Sequence, residues 1–374
     1  MSGTRIPVHL GERSYDIWVT QDSYRSLGGC LKRLNIGRTA VVVANPDAFR
    51  KHGHLLRRTL NQADFETTIL SNFPSGEQSE KAKSWKYYLR LIRSLVRLEN
   101  QKKKPFLICF AGGVLGDLTG FAAATFNRGI PYVQVPTTLL SQVDSAIGGK
   151  TAIDLPEAKN KVGAFYQPRL VYSDLSVLKS LPLKNLREGL AETIKYGVIS
   201  SEPFFRFIER GYPEIVRRGP DLDALQRIVV TCSRIKARVV TQDERDHRGK
   251  RLVLNYGHTL GHALEAADFT VGHGNAISVG MILEAEISER LGLITKDQAR
   301  RIENLLKAIG LPTTLGELYH RHITLDKILE AESYDKKFIQ GRNRYVLPVK
   351  IGKVVVKEGI PYSLIRHVLK KRLA

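Results

Sequence analysis

The spacing of hydrophobic positions changes along the chain. Up to about residue 175, short apolar runs rich in β-branched or aromatic residues recur at 39–44, 105–110, 132–135 and 170–172, with helix-like stretches between them. Short buried strands that alternate with helices are typical of a mostly parallel sheet with helices on both faces. This half of the chain is therefore expected to form an α/β domain.

Apolar residues in the second half follow a helical spacing instead. They return every three or four residues in 222–241, 276–291 and 296–309, which predicts a mainly helical structure. We place the boundary between the two patterns near residue 180.

One late segment departs from the helical pattern. Two strand-like runs, 344–349 and 354–356, are separated by a short glycine-containing stretch and predict a small hairpin. The chain is thus expected to fold as an α/β domain, residues 1–180, followed by a mainly helical domain, residues 181–374.

Composition narrows the class of protein. A chain of 374 residues that is 43% hydrophobic and 25% charged can bury a sizeable core, which excludes disordered and fibrous classes. No run approaches the ~18 uncharged apolar residues of a membrane span, and the N-terminus lacks the features of an export signal. Cys30, Cys109 and Cys232 lie far apart, so a disulfide framework is not expected. We expect a cytoplasmic protein with no membrane association.

The net charge is strongly positive. Lys and Arg outnumber Asp and Glu by 58 to 37, a formal charge of +21, which predicts attraction for anions. Residues 336–374 alone hold 11 Lys or Arg against one acid, a distribution that favours sequence-independent binding of polyanions. Because this segment has no zinc-finger, RRM or helix-turn-helix signature, no specific nucleic-acid partner is expected, and a solvated basic face is the preferred interpretation.

A glycine turn follows one of the predicted strands. After the run 105–110 the chain reads Ala-Gly-Gly-Val-Leu-Gly-Asp, with Gly112 and Gly113 at the start of a helix-like stretch. Glycines there let backbone N–H groups approach an anion, and the helix N-terminus adds positive charge, as in sites for dinucleotide pyrophosphates. The spacing differs from the Rossmann G-x-G-x-x-G, and Tyr132 stands where an acidic ribose ligand is expected. A tight turn for helix packing is the alternative.

A second glycine pair precedes Lys150. The sequence Gly-Gly-Lys-Thr that ends at Thr151 resembles the end of a triphosphate-binding P-loop, but that motif needs a glycine where Asp144 stands, and no strong strand leads into it. ATP hydrolysis is therefore not expected. Lys150 instead suits an anionic substrate group as a point charge.

Three of the ten histidines fall within sixteen residues, at His258, His262 and His273. His258 and His262 lie four positions apart, which places both on one face of a helix. Glu192 lies in an otherwise apolar helical stretch where an unpaired carboxylate would be unfavourable, with Lys195 one turn later on the same side. A carboxylate and two histidines suit a catalytic zinc site with an open position. The spacing does not decide which two histidines bind the metal, and hydrogen-bonded structural histidines are the alternative.

Further segments extend these motifs into a pattern that covers nearly the whole chain. The segments are 76–78, 112–118, 126–129, 136–140, 143–145, 148–151, 159–160, 163–165, 192 with 195–197, 254–262 and 335–337. In their order and spacing they make the sequence resemble the 3-dehydroquinate synthase family of the sugar phosphate cyclase superfamily.

The resemblance implies a specific reaction. The substrate would be 3-deoxy-D-arabino-heptulosonate 7-phosphate, a small phosphorylated carboxylate, which is converted to 3-dehydroquinate with loss of phosphate in the second step of the shikimate pathway. The implied chemistry is transient oxidation by NAD, phosphate elimination, re-reduction and intramolecular aldol closure of the ring, with Zn²⁺, or alternatively Co²⁺, as Lewis acid. The resemblance also implies a Rossmann-like first domain and a homodimer.

Family residues carry over to the matching positions of this chain. The implied metal ligands are Glu192, His258 and His273. The implied NAD contacts are Asn45, Glu77, Gly112, Gly113, Asp117, Thr137, Thr138, Asp144, Lys150, Lys159 and Ser180. The implied substrate and catalytic contacts are Asp144, Lys150, Asn160, Lys195, Lys236, Arg251, Asn255, His262, Lys336 and Arg128, the last reaching across the dimer interface.

Two of the departures from the family pattern affect candidate site residues. Where relatives read G-E-Q-x-K, with a lysine that helps to hold NAD, this chain reads Gly-Glu-Gln-Ser-Glu-Lys from Gly76. The lysine is displaced by one position, to Lys81, so the family contact with NAD is not carried over to it. An extra residue between Glu244 and Arg251 lengthens that loop and bears on the role of Lys236.

Two other enzyme classes share part of this chemistry. Cyclases that make 2-deoxy-scyllo-inosose or 2-epi-5-epi-valiolone use sugar phosphates without the carboxylate, and a metal-dependent NAD alcohol dehydrogenase needs fewer cations directed at phosphate. Arg251 offers a planar fork for a carboxylate. Arg128, Asn160, His262 and Lys336 together match the dehydroquinate pattern, which favours the synthase over both alternatives.

Overall fold

The computed structural model describes residues 3–217, 219–268, 270–319, 324–336 and 343–373, without the side chains of 333–336. Its strands, numbered in chain order, are β1 (Gly3–Val8), β2 (Tyr15–Thr20), β3 (Thr39–Ala44), β4 (Glu66–Leu70), β5 (Pro105–Ala111), β6 (Tyr132–Pro136), β7 (Lys150–Ile153), β8 (Val162–Phe165), β9 (Leu170–Asp174), β10 (Arg344–Lys350) and β11 (Lys353–Glu358). Its helices are α1 (Tyr24–Leu34), α2 (Pro46–Gln62), α3 (Trp85–Asn100), α4 (Gly113–Thr125), α5 (Leu183–Ser200), α6 (Glu202–Ile215), α7 (Leu222–Gln242), α8 (His258–Ala267), α9 (His273–Arg290), α10 (Lys296–Ile309), α11 (Leu315–Leu318), α12 (Leu325–Lys336) and α13 (Tyr362–Lys371). Among the described helices, none has the length and apolar character that crossing a bilayer requires.

The chain divides into two compact units. The first comprises residues 1–182 and 219–245, and the second residues 183–218 and 246–374. The first division lies close to the predicted boundary near residue 180. The segment 219–245, which the sequence pattern assigns to the second domain, belongs to the first unit, so the functional division into 1–180 and 181–374 stays a prediction.

The first unit contains a seven-stranded sheet in the order β1-β2-β9-β6-β5-β3-β4. Within it β1 and β2 pair antiparallel and the other neighbours pair parallel. Every residue of β3, β5, β6 and β9 is buried, which is why these strands are mainly apolar in the sequence, although Gln134 lies within β6 and β9 ends in Ser173 and Asp174. The predicted α/β class and these four predicted strands are confirmed.

Three strands of this sheet have no such signal in the sequence. Strands β1 and β4 lie at its two edges, and most of their residues are exposed or half-buried. Strand β2 alternates buried and half-buried residues over most of its length. Partial exposure removes the continuous apolar run that marks the central strands.

Parallel pairing of β5 with β6 places two chain segments at one edge of the sheet. Ala111, the last residue of β5, pairs with Pro136, the last residue of β6. The segments that follow are the glycine turn at Gly112 and the residues from Thr137 onward. The carboxyl edge of a parallel sheet is where α/β proteins bind ligands.

The second unit is mainly helical, as its apolar spacing predicts. Helix α10 has the predicted bounds, and α9 begins at His273, earlier than the predicted residue 276. Strands β10 and β11 pair antiparallel, with Val346 opposite Val356, which confirms the predicted hairpin. Helix α7 belongs to the first unit, where it packs against β1 and the turn Ser141–Ser145.

Close packing between α8 and α9 fixes the start of α8. A side chain at Gly280 of α9 would come within 2.0 Å of the carbonyl oxygen of Gly257, so this position requires glycine. Gly257 itself has φ of +78°, a left-handed conformation that favours glycine, and it immediately precedes His258. The two glycines therefore set where the first histidine of the cluster lies.

Candidate metal and dinucleotide sites

A buried carboxylate lies at the centre of the predicted metal site. Glu192 is in the middle of α5 and is 0% exposed. Its Oε1 atom lies 3.4 Å from Nε2 of His258 and 3.3 Å from Nε2 of His273. One ligand atom from each of the three side chains lies within 4.8 Å of the others. Three nitrogen and oxygen donors thus converge on one point, as a divalent metal requires.

Each histidine directs Nε2 at Glu192 because its other ring nitrogen is held. His258, the first residue of α8, donates from Nδ1 to the carbonyl oxygen of Tyr256 at 3.1 Å. His273, the first residue of α9, donates from Nδ1 to Oε1 of Glu265 at 3.3 Å. A carbonyl or carboxylate on the distal nitrogen is the usual support of a metal-binding imidazole. Both rings therefore have the orientation that metal binding needs.

The charged groups around Glu192 influence the protonation of the two histidines. Lys195, one turn further along α5, forms an ion pair with Oε2 of Glu192. Burial, with the nearby Lys195 ammonium, lowers the pKa of His258 to about 3, so the ring is neutral and has a lone pair to offer. Burial would also lower the pKa of His273, but Glu265 and Glu192 outweigh it and raise that pKa. Two imidazoles and one carboxylate form a donor set that suits zinc or a similar divalent ion.

The geometry distinguishes among the three histidines, which the sequence spacing does not. His262 lies one turn along α8, with its ring centroid 5.2 Å from that of His258 and 6.4 Å from that of His273. It is not part of the convergent set that Glu192, His258 and His273 form. His262 therefore lies beside the three donors and is not one of them, and its contact with substrate stays a prediction.

The glycine turn leaves the backbone at the N-terminus of α4 without side chains. Gly112 is the N-cap residue, and the helix begins at Gly113. A Cβ at Gly112 would lie 3.1 Å from Cγ2 of Thr138, and one at Gly113 would lie 2.6 Å from Oγ of Ser145. The backbone N–H of Thr137 donates to the carbonyl of Ala111 at 2.9 Å, which holds the two segments together. Glycine backbone at a helix N-terminus, without side chains in the way, fits the pyrophosphate of a dinucleotide.

A charged network joins this helix to the loop before β8. Asp117 of α4 accepts a hydrogen bond from Nζ of Lys83 at 2.5 Å, and Lys83 also donates to Oδ1 of Asn160. Asn160 is exposed, and its φ of +61° is left-handed. The structure thus brings a predicted NAD contact and a predicted substrate contact onto one lysine.

A second ion pair in the first unit joins two predicted substrate contacts. Lys236 of α7 lies 2.8 Å from Oδ1 of Asp144 and donates to the carbonyl oxygen of the same residue at 2.8 Å. Because both side chains are largely buried, the pair holds the turn Ser141–Ser145 against α7. The longer loop after residue 244 does not remove Lys236 from Asp144.

Other predicted NAD contacts have structural partners near α2. Asn45 caps α2 by accepting the N–H groups of Asp47 and Ala48, each at 3.0 Å. Oγ of Ser180 lies 2.7 Å from Nε2 of His52. Glu77 and Lys150 are exposed, and Lys159 is half-buried. Their contact with NAD stays a prediction.

The remaining predicted contacts are Arg251 and Asn255 of the second unit, Lys336 at the end of α12, and Arg128 of the first unit. Arg251 is 3% exposed in the short helical segment Lys250–Asn255, and Asn255 is half-buried at its end. The side chain of Lys336 lies outside the described residues. Arg128 of the first unit is exposed and has φ of +62°. The roles of these residues stay predictions.

Comparison with known proteins decides the family. A model of the N-terminal domain of 3-dehydroquinate synthase matches residues 73–188, and a model of its C-terminal domain matches residues 189–338. The chain belongs to the 3-dehydroquinate synthase family. A 3-dehydroquinate synthase from Picosynechococcus sp. is 41% identical over 366 residues, which cover 97% of each chain.

Solved structures of related cyclases share the fold. A 2-epi-5-epi-valiolone synthase from Streptomyces hygroscopicus, solved with NAD⁺ and Zn²⁺, matches with a TM-score of 0.85 and 23% identity over 97% of this chain and 98% of that one. A 2-deoxy-scyllo-inosose synthase, solved with carbaglucose-6-phosphate, NAD⁺ and Co²⁺, matches with a TM-score of 0.85 and 24% identity over 99% and 100%. At this identity the likeness shows the fold.

Three residues that support the site escaped the sequence prediction. Glu265, which holds His273, lies seven positions after His258 and so shares its helix face, a periodicity that could have indicated it. Glu284 accepts the N–H groups of Gly257 at 2.7 Å and Leu260 at 3.4 Å. Nothing in the sequence pattern indicated Lys83, except that it lies shortly after the altered segment that begins at Gly76.

Glu284 supports the first turn of α8 from inside the core. It is 0% exposed, and burial raises its pKa to about 8 although the backbone N–H groups oppose the shift. The folded protein therefore retains a proton on Glu284 at neutral pH, whereas the unfolded chain releases it near the ordinary value of 4.5. Stability from this group is greatest at low pH and falls as the pH rises from about 5 to about 8.

Substitution of each metal ligand should release the metal. We expect Glu192→Gln, His258→Ala and His273→Ala each to weaken zinc binding by at least about 100-fold, because one of only three protein ligands to the metal is lost. His262→Ala, the matched control from the same cluster, should retain one zinc per chain. Metal content and competition with a chelator measure both. Loss of zinc from His262→Ala, with retention in His273→Ala, would refute this ligand set.

The Glu284 pKa predicts a pH-dependent stability difference. In metal-free protein, Glu284→Gln should gain stability relative to the parent as the pH rises from 5 to 8, by at most about 1.4 kcal/mol per pH unit, since its amide cannot ionise. The control is Glu286→Gln in the same helix. Although Glu286 is buried, Lys371 and Arg372 lower its pKa, so its stabilising contribution is lost only at lower pH and its difference should be flat over this range. Melting temperatures at pH 5, 6.5 and 8 test this, and a flat Glu284→Gln difference would contradict it.

Proposed function

We propose that this protein converts 3-deoxy-D-arabino-heptulosonate 7-phosphate to 3-dehydroquinate and phosphate, with NAD and a divalent metal, Zn²⁺ or Co²⁺, as cofactors. The observation that carries the proposal is identity of 41% with a 3-dehydroquinate synthase over almost the full length of both chains. The convergence of Glu192, His258 and His273 supports the metal requirement, and the bare backbone at Gly112 and Gly113 supports the dinucleotide.

The residues of each unit suit different parts of the chemistry. Glu192, His258 and His273 would hold the metal, and the glycine turn with Asp117 would hold NAD. When bound, NAD supplies a reversible hydride acceptor and the metal supplies Lewis acidity toward hydroxyl and carbonyl oxygens. The chain itself then has to bind and orient a substrate that carries two anionic groups.

Several cationic side chains suit these anionic groups. Arg251 is buried and offers two parallel donors, the geometry that a carboxylate needs. Lys195 is 1% exposed and forms an ion pair with Oε2 of Glu192, which places a cation beside the proposed metal ligands. His262, Lys150 and Asn160 are the proposed donors to phosphate and hydroxyl oxygens. Asp144, held by Lys236, is the proposed acceptor for a substrate hydroxyl.

Assembly and location form part of the proposal. We propose a homodimer in which Arg128 reaches the neighbouring subunit, because the family residue does so and Arg128 is exposed here. The three cysteines are buried thiols without a disulfide, which supports a reducing cytoplasm. No specific nucleic acid or membrane is proposed as a partner.

Related cyclases are the second candidate. The fold likeness to the valiolone and inosose synthases is high, but identity is 23% and 24%, against 41% for the dehydroquinate enzyme. The buried Arg251 favours a substrate with a carboxylate.

The decisive experiment follows phosphate and the cyclic product together. Purified protein is incubated with zinc, the heptulosonate phosphate and NAD at a small fraction of the substrate concentration. This NAD should suffice for complete conversion, because the hydride is returned in each turnover, and one phosphate should be released per 3-dehydroquinate formed. Sugar phosphates without a carboxylate serve as control substrates and should give no product. NADH that accumulates in proportion to substrate would contradict the proposal and indicate a dehydrogenase.

Arg251→Ala tests the carboxylate fork. Loss of charge-assisted hydrogen bonds should reduce transition-state stabilisation by about 2 to 3 kcal/mol. This corresponds to a decrease in kcat/KM of roughly 30- to 150-fold. Arg206→Ala, which removes an exposed arginine paired with Glu202 on α6, is the matched control and should stay within about twofold. An unchanged kcat/KM in Arg251→Ala would remove Arg251 from the substrate site.

A further inference from the structure

A buried lysine in the segment that departs from the family pattern touches both predicted sites of the first unit. Lys83 follows the short helical segment Gly76–Ala82 and is 5% exposed. Its Nζ atom donates to Oδ2 of Asp117 at 2.5 Å and to Oδ1 of Asn160. One ammonium group thus contacts a proposed NAD ligand and a proposed substrate ligand.

Backbone bonds fix Lys83 and Asn160 relative to each other. The N–H of Lys83 donates to the carbonyl of Glu80 at 2.9 Å, and the carbonyl of Lys83 accepts the N–H of Asp154 at 2.7 Å. Oδ1 of Asp154 in turn accepts the N–H of Asn160 at 2.8 Å. Asp154 therefore holds the backbone of Lys83 through its own N–H group and the backbone of Asn160 through its side chain.

Lys83 keeps its charge in spite of burial. Burial would lower its pKa, but the carboxylates of Asp117, Asp154 and Glu80 outweigh this and raise it. Burial raises the pKa of Asp117, and the Lys83 ammonium is the main group that opposes this shift. Removal of Lys83 would therefore make an ionised Asp117 less favourable.

The hydrogen-bonding capacity of lysine decides how its partners are oriented. An ammonium has three donors and no acceptor. Asn160 must present Oδ1 to Lys83, which leaves its Nδ2 group as a donor for an anionic or hydroxyl oxygen. Asp117 presents Oδ2 to Lys83, which leaves Oδ1 as an acceptor for a hydroxyl of the cofactor.

We propose that Lys83 is a positioning residue that couples the dinucleotide site to the substrate site, by holding Asp117 as an acceptor and Asn160 as a donor. Lys81, to which the altered motif displaces the family lysine, is exposed, and its backbone carbonyl accepts the hydroxyl of Ser84. The inference rests on the proposed function for the identity of the two ligands and adds the residue that links them.

Lys83→Met and Lys81→Met form the matched pair for the first test. Lys83→Met should raise the Kd for NAD, measured by direct titration, at least about tenfold, and lower kcat/KM for the heptulosonate phosphate at saturating NAD at least about tenfold. Lys81→Met should change each value by less than about twofold. Circular dichroism and melting curves establish that each variant is folded, and Lys83→Gln carries the same comparison if Lys83→Met does not fold.

Asn160 separates a positioning role from a general structural one. Asn160→Asp keeps an oxygen toward Lys83 but loses the Nδ2 donor, so it should lower kcat/KM while the Kd for NAD stays within about twofold. At saturating NAD, the double variant Lys83→Met/Asn160→Ala should have a kcat/KM less than about threefold below that of Asn160→Ala alone. The reason is that the effect of Lys83 on the substrate passes through Asn160. A further tenfold loss in that background would overturn this coupling.

The NAD titration tests the role of Lys83 separately from the proposed function, which is tested by the formation of 3-dehydroquinate. An unchanged Kd for NAD in a folded Lys83 variant would overturn the role of Lys83 toward Asp117, whatever the activity. A parent protein that binds NAD but forms no 3-dehydroquinate would refute the proposed function, while the NAD titration would still decide the role of Lys83.

Discussion

The second unit depends on a carboxylate that is removed from water. Glu192 has no exposed surface, and an ionised carboxylate is stable there only with positive or donor groups around it. Lys195 meets one oxygen from the same helix, and His258 and His273 meet the other from the starts of α8 and α9. The need to stabilise one buried charge therefore brings together the atoms that can hold a divalent metal.

The first unit attracts ligands by the opposite means. At the carboxyl edge of its parallel sheet, Gly112 and Gly113 place backbone without side chains at a helix N-terminus, where the helix dipole gives a positive potential suited to an anion. Asp117, four residues into that helix, then needs a cation of its own, which Lys83 supplies. Because Lys83 also donates to Asn160, the requirement for neutralising Asp117 also orients a side chain on the neighbouring loop.

The excess of basic residues near the C-terminus is partly used inside the fold. Lys371 pairs with Glu286, Arg372 with Glu303, and Arg344 with Glu358. These pairs join α13 to α9 and α10, and β10 to β11, so several of the positive charges in residues 336–374 stabilise the second unit.

The sequence by itself determined the central parallel strands, the main helices and the residues of the metal cluster, because continuous apolar runs, helical spacing and clustered histidines are local signals. It did not reveal the edge strands β1 and β4, whose exposure removes the apolar run, nor the return of residues 219–245 to the first unit. Residue spacing alone left open which two histidines join Glu192; the family resemblance implied His258 and His273, and the tertiary structure shows these two converging on it. That arrangement depends on where α8 and α9 begin and how closely they pack at Gly257 and Gly280. Only the tertiary structure decided that Lys83 faces Asp117. Such distances between separate segments leave no trace in the spacing of residues along the chain.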